Sequence, residues 1–229
     1  MSYGGKKMSL RDKAYEQLKE RIVDCTYAPD SVINEEWLQS EFGMSRTPIR
    51  EALIMLEREG LVKIMPKKGV RIVRMTLEDV HDVFEIRKLI EPYILRQYGH
   101  KVSRQRLETM ERKHRALLEA LEQGSEEEFK KQVNAVDYEL HSMLIDTAHN
   151  PFFSDLRRII FAQNSRLRIL SAREVEGRLN KTLLEHLELL QALREGDLDC
   201  AAERMTVHLI ASEEAAIATI KANPGQIGA

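Results

Sequence analysis

The sequence predicts a mainly α protein, a small α/β head followed by an all-helical antiparallel bundle, and three observations carry that reading. Apolar residues recur every third or fourth position in segment after segment from Leu10 to Ile220, the period of helices with one buried face. β-branched residues cluster in one place only, "LVKIM" and "VRIVRM" on either side of "PKKG", which reads as a hairpin. That hairpin also divides the charge. Residues 1–75 hold 14 Lys+Arg against 11 Asp+Glu, while the rest is acidic enough to bring the whole chain to −2. A boundary at Arg74–Thr76 follows, with domains 1–75 and 76–229.

Composition narrows the class. Of 229 residues, 43% are hydrophobic and 31% charged, a mixture that folds and is not that of a disordered chain. No apolar run approaches the ~18 residues of a membrane span, and no charged-then-apolar leader opens the chain, so a cytoplasmic protein is expected. Cys25 and Cys200 match no metal or redox spacing and read as reduced thiols.

In the head, "MSYGGKK" reads as a flexible lead-in, and Leu10, Ala14, Leu18 and Ile22 mark a first helix. "YAPDSVIN" interrupts it with proline and turn formers. Asn34 is suited to cap a short helix ending near Phe42, where Gly43 turns the chain. Ser45 caps the next helix, whose stripe Ile49, Ala52, Leu53 and Leu56 stops at Glu59–Gly60. Two short helices joined across "FGMS" form a helix-turn-helix, and the hairpin behind them makes it winged.

Arg46 and Arg50 stand one turn apart on the second of these helices, away from the apolar stripe, with Thr47 on the same outer side. Pro48 falls in the first turn, where its missing N–H costs little and its fixed φ stiffens the helix end. Backbone N–H groups and Thr47 suit phosphate, and arginine forks suit guanine edges in a major groove. Lys67 and Lys68 occupy the wing tip, facing the backbone or minor groove, and Gly69 permits the tight turn. On an isolated helix such arginines pair with Glu51, Glu57 or water. The order of elements favours double-stranded DNA instead.

Behind Met75, helices are expected near Thr76–Tyr98, Ser103–Gln123, Ser125–Thr147, Pro151–Ala172, Arg178–Glu195 and Leu198–Ile220. Asp137 and His141, four apart, project from one helix face beside Val133, Val136, Leu140 and Leu144. His186 lies on the stripe of Leu183, Leu190 and Leu193, and His208 on that of Ala201, Met205 and Ser212. If Gly196 is the turn between the last two helices, His186 and His208 lie about 15 and 18 Å from it, at ~1.5 Å per residue. They reach nearly the same height. One carboxylate and three imidazoles at one level suit a divalent transition metal, zinc first, with nickel, manganese or iron also compatible. Each histidine alone fits a hydrogen-bonded core residue equally well. His81, His100 and His114 read as surface residues and His149 as a loop or cap.

"MSRTPIREALIMLEREGLV" followed by "PKKGVRIV" resembles the GntR family of bacterial transcription regulators over about Leu10 to Val73. The resemblance implies base contacts from Arg46 and Arg50, phosphate contacts from Ser45 and Thr47, and a Lys68–Gly69 wing tip in the minor groove. One departure stands out: Glu36 occupies a position where relatives often carry a DNA-contacting arginine, so operator preference should differ. "RKLIEP", "DYELH", "HNPFF", "EHLELLQALREGD" and "AAERMTVHL" resemble the FCD effector domain of the FadR-like branch. That resemblance implies six or seven antiparallel helices around a metal, with Asp137, His141, His186 and His208 filling the ligand positions. It also implies a small carboxylate effector beside the ion. Arg87 matches the inward arginine that forks onto a carboxylate, with Arg168 and Asn164 as further effector candidates.

The expectation is therefore a DNA-binding, ligand-responsive regulator, a repressor acting as a homodimer on a short palindromic operator. A metal sensor without an organic effector stays open. So does a metal-dependent enzyme, although no HExxH or nucleophile motif and no recognisable general-base spacing accompanies the histidines.

Overall fold

The computed structural model describes residues 8–124, 126–174 and 177–222, side chains of 126–127 and 166–174 excepted. The expected lead-in at residues 1–7 lies outside the described residues. The chain divides into two compact units, Met1–Met75 and Thr76–Ala229.

In the first unit, Ser9 caps α1 (Leu10–Val23) by accepting from the Asp12 N–H, and Asn34 caps α2 (Glu35–Phe42) by accepting from the Glu36 N–H. Gly43 ends α2 in the left-handed region at φ 60°, which glycine adopts at little cost. In α3 (Arg46–Arg58) Ser45 occupies the cap position, but its hydroxyl makes no capping bond. Ala14, Leu18, Ile22, Leu38, Ile49, Leu53 and Leu56 close the core between the three helices. Glu59 is buried behind α3, where the Tyr15 hydroxyl donates to it at 2.6 Å and Lys19 at 3.0 Å.

The expected hairpin is β2 (Val62–Met65) with β3 (Gly69–Ile72), paired antiparallel as Ile64↔Val70 and Met65↔Gly69. A third strand was not expected. β1 (Val32–Ile33) pairs on the other edge of β3, giving the order β1-β3-β2. Two residues flanked by Pro29, Asp30 and Asn34 carry no readable alternation; the pairing is imposed by β3, whose Ile72 N–H donates to the Ser31 carbonyl.

The second unit is helical throughout its described residues. It comprises α4 (Leu77–Tyr98), a single 3-10 turn at Gly99–Lys101, α5 (Arg104–Gln123), α6 (Glu126–Asp146), α7 (Pro151–Glu174), α8 (Arg178–Glu195) and α9 (Leu198–Ala222). Thr76 opens α4 with a reciprocal capping box to Asp79. Gly196, at φ 80°, makes the α8–α9 turn. α4 packs along α9, α8 packs on both α9 and α5, and α6 packs on α5 and α7. Phe84, Leu95, Val133, Leu140, Leu183, Leu190, Met205 and Leu209 are buried in this unit.

Gly69 holds the wing together. Its φ is +100°, and a Cβ there would stand 2.6 Å from the Ile33 carbonyl oxygen. Gly69→Ala should therefore destabilise the head by about 1–3 kcal/mol, read as a shifted denaturant midpoint. An unchanged midpoint would contradict the β1–β3 pairing.

Candidate metal centre and nucleic-acid face

The head presents one basic edge. Ser45, Arg46, Thr47 and Arg50 are exposed at the start of α3, while Pro48, Ile49, Ala52 and Leu53 turn inward. Arg46 keeps a loose 3.6 Å approach to Glu35 and is 69% exposed, so its guanidinium is available. Lys67 and Lys68 are exposed at the wing tip, with Lys67 itself at φ 62°. Glu36 is exposed in the first turn of α2.

In the bundle, α6 supplies Asp137 and His141, α8 supplies His186 and α9 supplies His208, all four buried. One donor atom from each lies within 4.8 Å of every other. Asp137 Oδ1 is 3.7 Å from His141 Nε2 and 3.6 Å from His186 Nε2. His186 Nε2 is 3.3 Å from His208 Nε2. The sequence spacing that placed His186 and His208 at one height is matched here by ring centroids 4.4 Å apart.

The opposite nitrogen of each ring is engaged from behind. His141 Nδ1 is 2.5 Å from Glu91 Oε2, and His208 Nδ1 is 2.7 Å from Glu185 Oε2. A carboxylate oxygen only accepts, so both Nδ1 atoms donate. In the neutral rings Nε2 then carries the lone pair; that of His141 lies 3.7 Å from Asp137 Oδ1 and that of His208 3.3 Å from His186 Nε2. His186 Nδ1 instead faces His114 Nε2 at 3.1 Å. The outer carboxylates are themselves held. Arg87 Nε donates to Glu91 at 2.6 Å, and Arg178 donates through both Nη atoms to Glu185 at 2.8 and 3.0 Å.

Burial keeps His141 and His208 neutral. It pushes His208 down to about 3, against the opposing bond to Glu185. It also lowers His141 from its usual range, against the Glu91 charge. Burial by itself raises Glu91, but the Arg87 charge, with hydrogen bonds from His141 and Arg87, more than offsets this and holds it at about 2. Since His141 is neutral, Arg87 is the ion that keeps Glu91 charged. Lone pairs and a carboxylate facing one another in a buried core repel unless a cation stands between them, so the donor set fits a divalent metal.

Among the effector candidates, Arg87 uses Nε and Nη1 inside the protein and turns Nη2 to the His141 ring, 3.3 Å from Nδ1. It is buried, donates to Glu91 and, through Nη1 at 2.8 Å, to Asn164. Its Nε thus already serves an internal carboxylate, Glu91. A crevice of about 10 Å³ beside it, lined by Glu91, Phe153, Arg157 and their neighbours, has room for one water. The side chain of Arg168 lies outside the described residues.

His114 corrects the sequence reading. Expected at the surface, it is fully buried, because it lies on the inward stripe of Leu107, Met110 and Leu121. That 3–4 spacing was the available signal. Glu91, four residues after Arg87, is a partner of His141 that the sequence does not reveal, since nothing in it pairs α4 with α6; Glu185, seven after Arg178, partners His208 across the α8–α9 turn and was also missed. His81 and His100 are exposed as expected, and His149 sits in the loop after α6 at φ 49°.

A winged helix-turn-helix joined to a bundle with a buried donor cluster is the layout of a DNA-binding transcription regulator. The profile described as "Bacterial regulatory proteins, gntR family" matches residues 10–72 and that of the FCD domain residues 82–211. The uncharacterized HTH-type transcriptional regulator YdhC of Bacillus subtilis is 27% identical over 85% of either chain. The HTH-type transcriptional repressor RspR of Escherichia coli is 26% identical over 87% of this chain and 86% of its own. The solved structure of E. coli McbR/YncC superposes at a TM-score of 0.78 over 92% of this chain and 98% of its own, at 16% identity, and shows a shared fold. The chain belongs to the GntR family of bacterial regulators and carries an FCD domain. Its relatives are transcription regulators and not enzymes. No described helix is long and apolar enough to cross a membrane.

The buried ion pair sets a stability prediction. Glu91→Gln leaves Arg87 without its counter-charge and should cost about 3–5 kcal/mol near neutral pH. A lowered carboxylate stabilises fully above its unfolded value near 4.5 and loses that contribution as pH falls toward about 2. The gap between wild type and variant in urea unfolding should therefore close over that window. A gap constant with pH would contradict the assignment of the charge to Glu91.

Proposed function

We propose that this protein is a ligand-responsive repressor that acts in the bacterial cytoplasm as a homodimer on a short palindromic operator. Asp137, His141, His186 and His208 hold a divalent transition metal, zinc first, in the FCD domain. A small carboxylate effector is read at the ion and the Arg87–Asn164 pair. The single observation that supports the metal is the convergence of four buried donor atoms within 4.8 Å, with the outer nitrogens of His141 and His208 bonded to carboxylates. A bound divalent ion would supply Lewis acidity and an attachment point for an acidic oxygen.

The chain's own residues do the rest. Ser45, Thr47 and the first N–H groups of α3 engage phosphate, Arg46 and Arg50 read base edges, and Lys67, Lys68 and Gly69 place the wing. Arg87 sits on α4, which follows the wing in the chain after four residues. An effector acts only if it favours one arrangement of the bundle over another. A carboxylate that competes with Glu91 for Arg87 does so, because it re-pairs a buried charge on that helix. RspR, a relative, is named a repressor, which supports the sign.

A second reading is a metal sensor without organic effector. The bonds of Arg87 to Glu91 and Asn164 favour that reading. Titrating metal and small acids separately into DNA-bound protein distinguishes the two, since release by metal alone selects the sensor.

Arg50→Ala should weaken operator binding about 30-fold or more in a mobility-shift assay on the promoter beside its own gene, from loss of one base contact of ~1–3 kcal/mol in each half-site. Binding as tight as wild type would contradict the head assignment.

A further inference from the structure

Three ligand imidazoles surround Asp137, and two have their tautomer dictated by carboxylates. The third, His186, is met at Nδ1 by another ring, His114, whose Nε2 stands 3.1 Å away. Left alone, His186 has a competing option. Its Nε2 lies 3.3 Å from the His208 Nε2 lone pair, so the tautomer protonated at Nε2 could donate to His208. That internal bond would cap two metal donors with one proton.

We infer that His114 is the positioning residue that keeps His186 in the metal-ready tautomer. The chain of reasoning starts at the backbone. His114 Nδ1 is 2.8 Å from the carbonyl oxygen of Met110, one turn earlier on α5. A carbonyl only accepts, so Nδ1 of His114 carries the proton and Nε2 of the neutral ring carries the lone pair. That lone pair accepts from His186 Nδ1–H, which leaves His186 Nε2 unprotonated and directed at Asp137 and His208. One carbonyl on α5 thereby sets a donor atom on α8 through two rings. The edge-on contact of His114 with His186, centroids 5.2 Å apart at 77°, fixes the ring plane as well.

The choice of histidine at this corner also fits the charge balance. Glu91 and Glu185, behind the other two rings, each carry a buried arginine as counter-ion. His114 performs the same orienting task as a neutral group and needs none. Partners of this kind behind a ligand imidazole commonly change metal affinity by 10–100-fold. The inference rests on the proposed metal site, but the tautomer of His186 can be read without any metal.

The test compares wild type, His114→Phe and His114→Gln. Phenylalanine keeps a flat ring without an acceptor, whereas the glutamine side-chain oxygen can accept from His186 Nδ1–H. Circular dichroism and melting first establish that each variant is folded. In metal-free protein, long-range 1H–15N correlation of labelled histidines should show His186 protonated at Nδ1 in wild type and His114→Gln. In His114→Phe it should shift toward Nε2. Zinc titration should show affinity 10–100-fold weaker in His114→Phe, with His114→Gln closer to wild type. Cobalt-loaded His114→Phe should show an altered ligand-field absorption. An unchanged His186 tautomer in folded His114→Phe would overturn the inference, as would unchanged zinc affinity. Should wild type bind no zinc or cobalt, the metal reading fails, and the tautomer comparison alone still decides the role of His114.

Discussion

The bundle depends on one electrostatic constraint: a carboxylate and the lone pairs of at least two neutral imidazoles meet in its buried core. Such a meeting is unfavourable unless something positive occupies the centre, and the residues around it prevent the usual escapes. His141 cannot rotate its N–H inward without abandoning Glu91, and His208 cannot without abandoning Glu185. Burial disfavours protonation, which would otherwise relieve the repulsion. Arg87 and Arg178 in turn keep the two outer carboxylates charged and in place. The polar interior is therefore a connected network in which each member is held by the next, with α4, α6, α8 and α9 all contributing.

That network gives the bundle a physical route to switching. Arg87 is bonded to Glu91 on its own helix and to Asn164 on α7, while Glu91 holds the ring of His141 on α6. A new charge introduced at Arg87 or at the inner donors must re-pair groups on several helices at once. Buried pairs are expensive to break singly, so the alternatives are discrete arrangements and not a graded drift. A regulator needs two such states with different affinities for its ligand.

Much of this was legible in the sequence because helical periodicity places residues on faces. Asp137 with His141 at four-residue spacing, and His186 and His208 on either side of Gly196, needed only the helix rise and an antiparallel turn. The head was legible for the same reason, with the Ile49–Leu56 stripe separating Arg46 and Arg50 from the core. Strand β1 was not, because two residues among turn formers acquire their conformation from β3. The burial of His114 is legible in its spacing from Leu107 and Met110, which puts a polar residue on an apolar stripe, although residue type alone suggests the surface. Glu91 was illegible as a ring partner, since its role comes from the packing of α4 on α6, whereas Glu185, one residue before His186 on the α8–α9 hairpin, was within reach of the spacing that paired His186 with His208. Arg87 was read as a ligand fork, and its pairing with Glu91 is a tertiary fact that the i, i+4 spacing alone leaves undecided.

The most direct measurement is anomalous diffraction from crystals of the full chain grown with zinc, recorded on both sides of the metal edge. The account predicts one strong peak in each bundle, at bonding distance from an Asp137 carboxylate oxygen and from Nε2 of His141, His186 and His208. No peak there in zinc-rich crystals, or an ion held through the Nδ1 atoms, would contradict it.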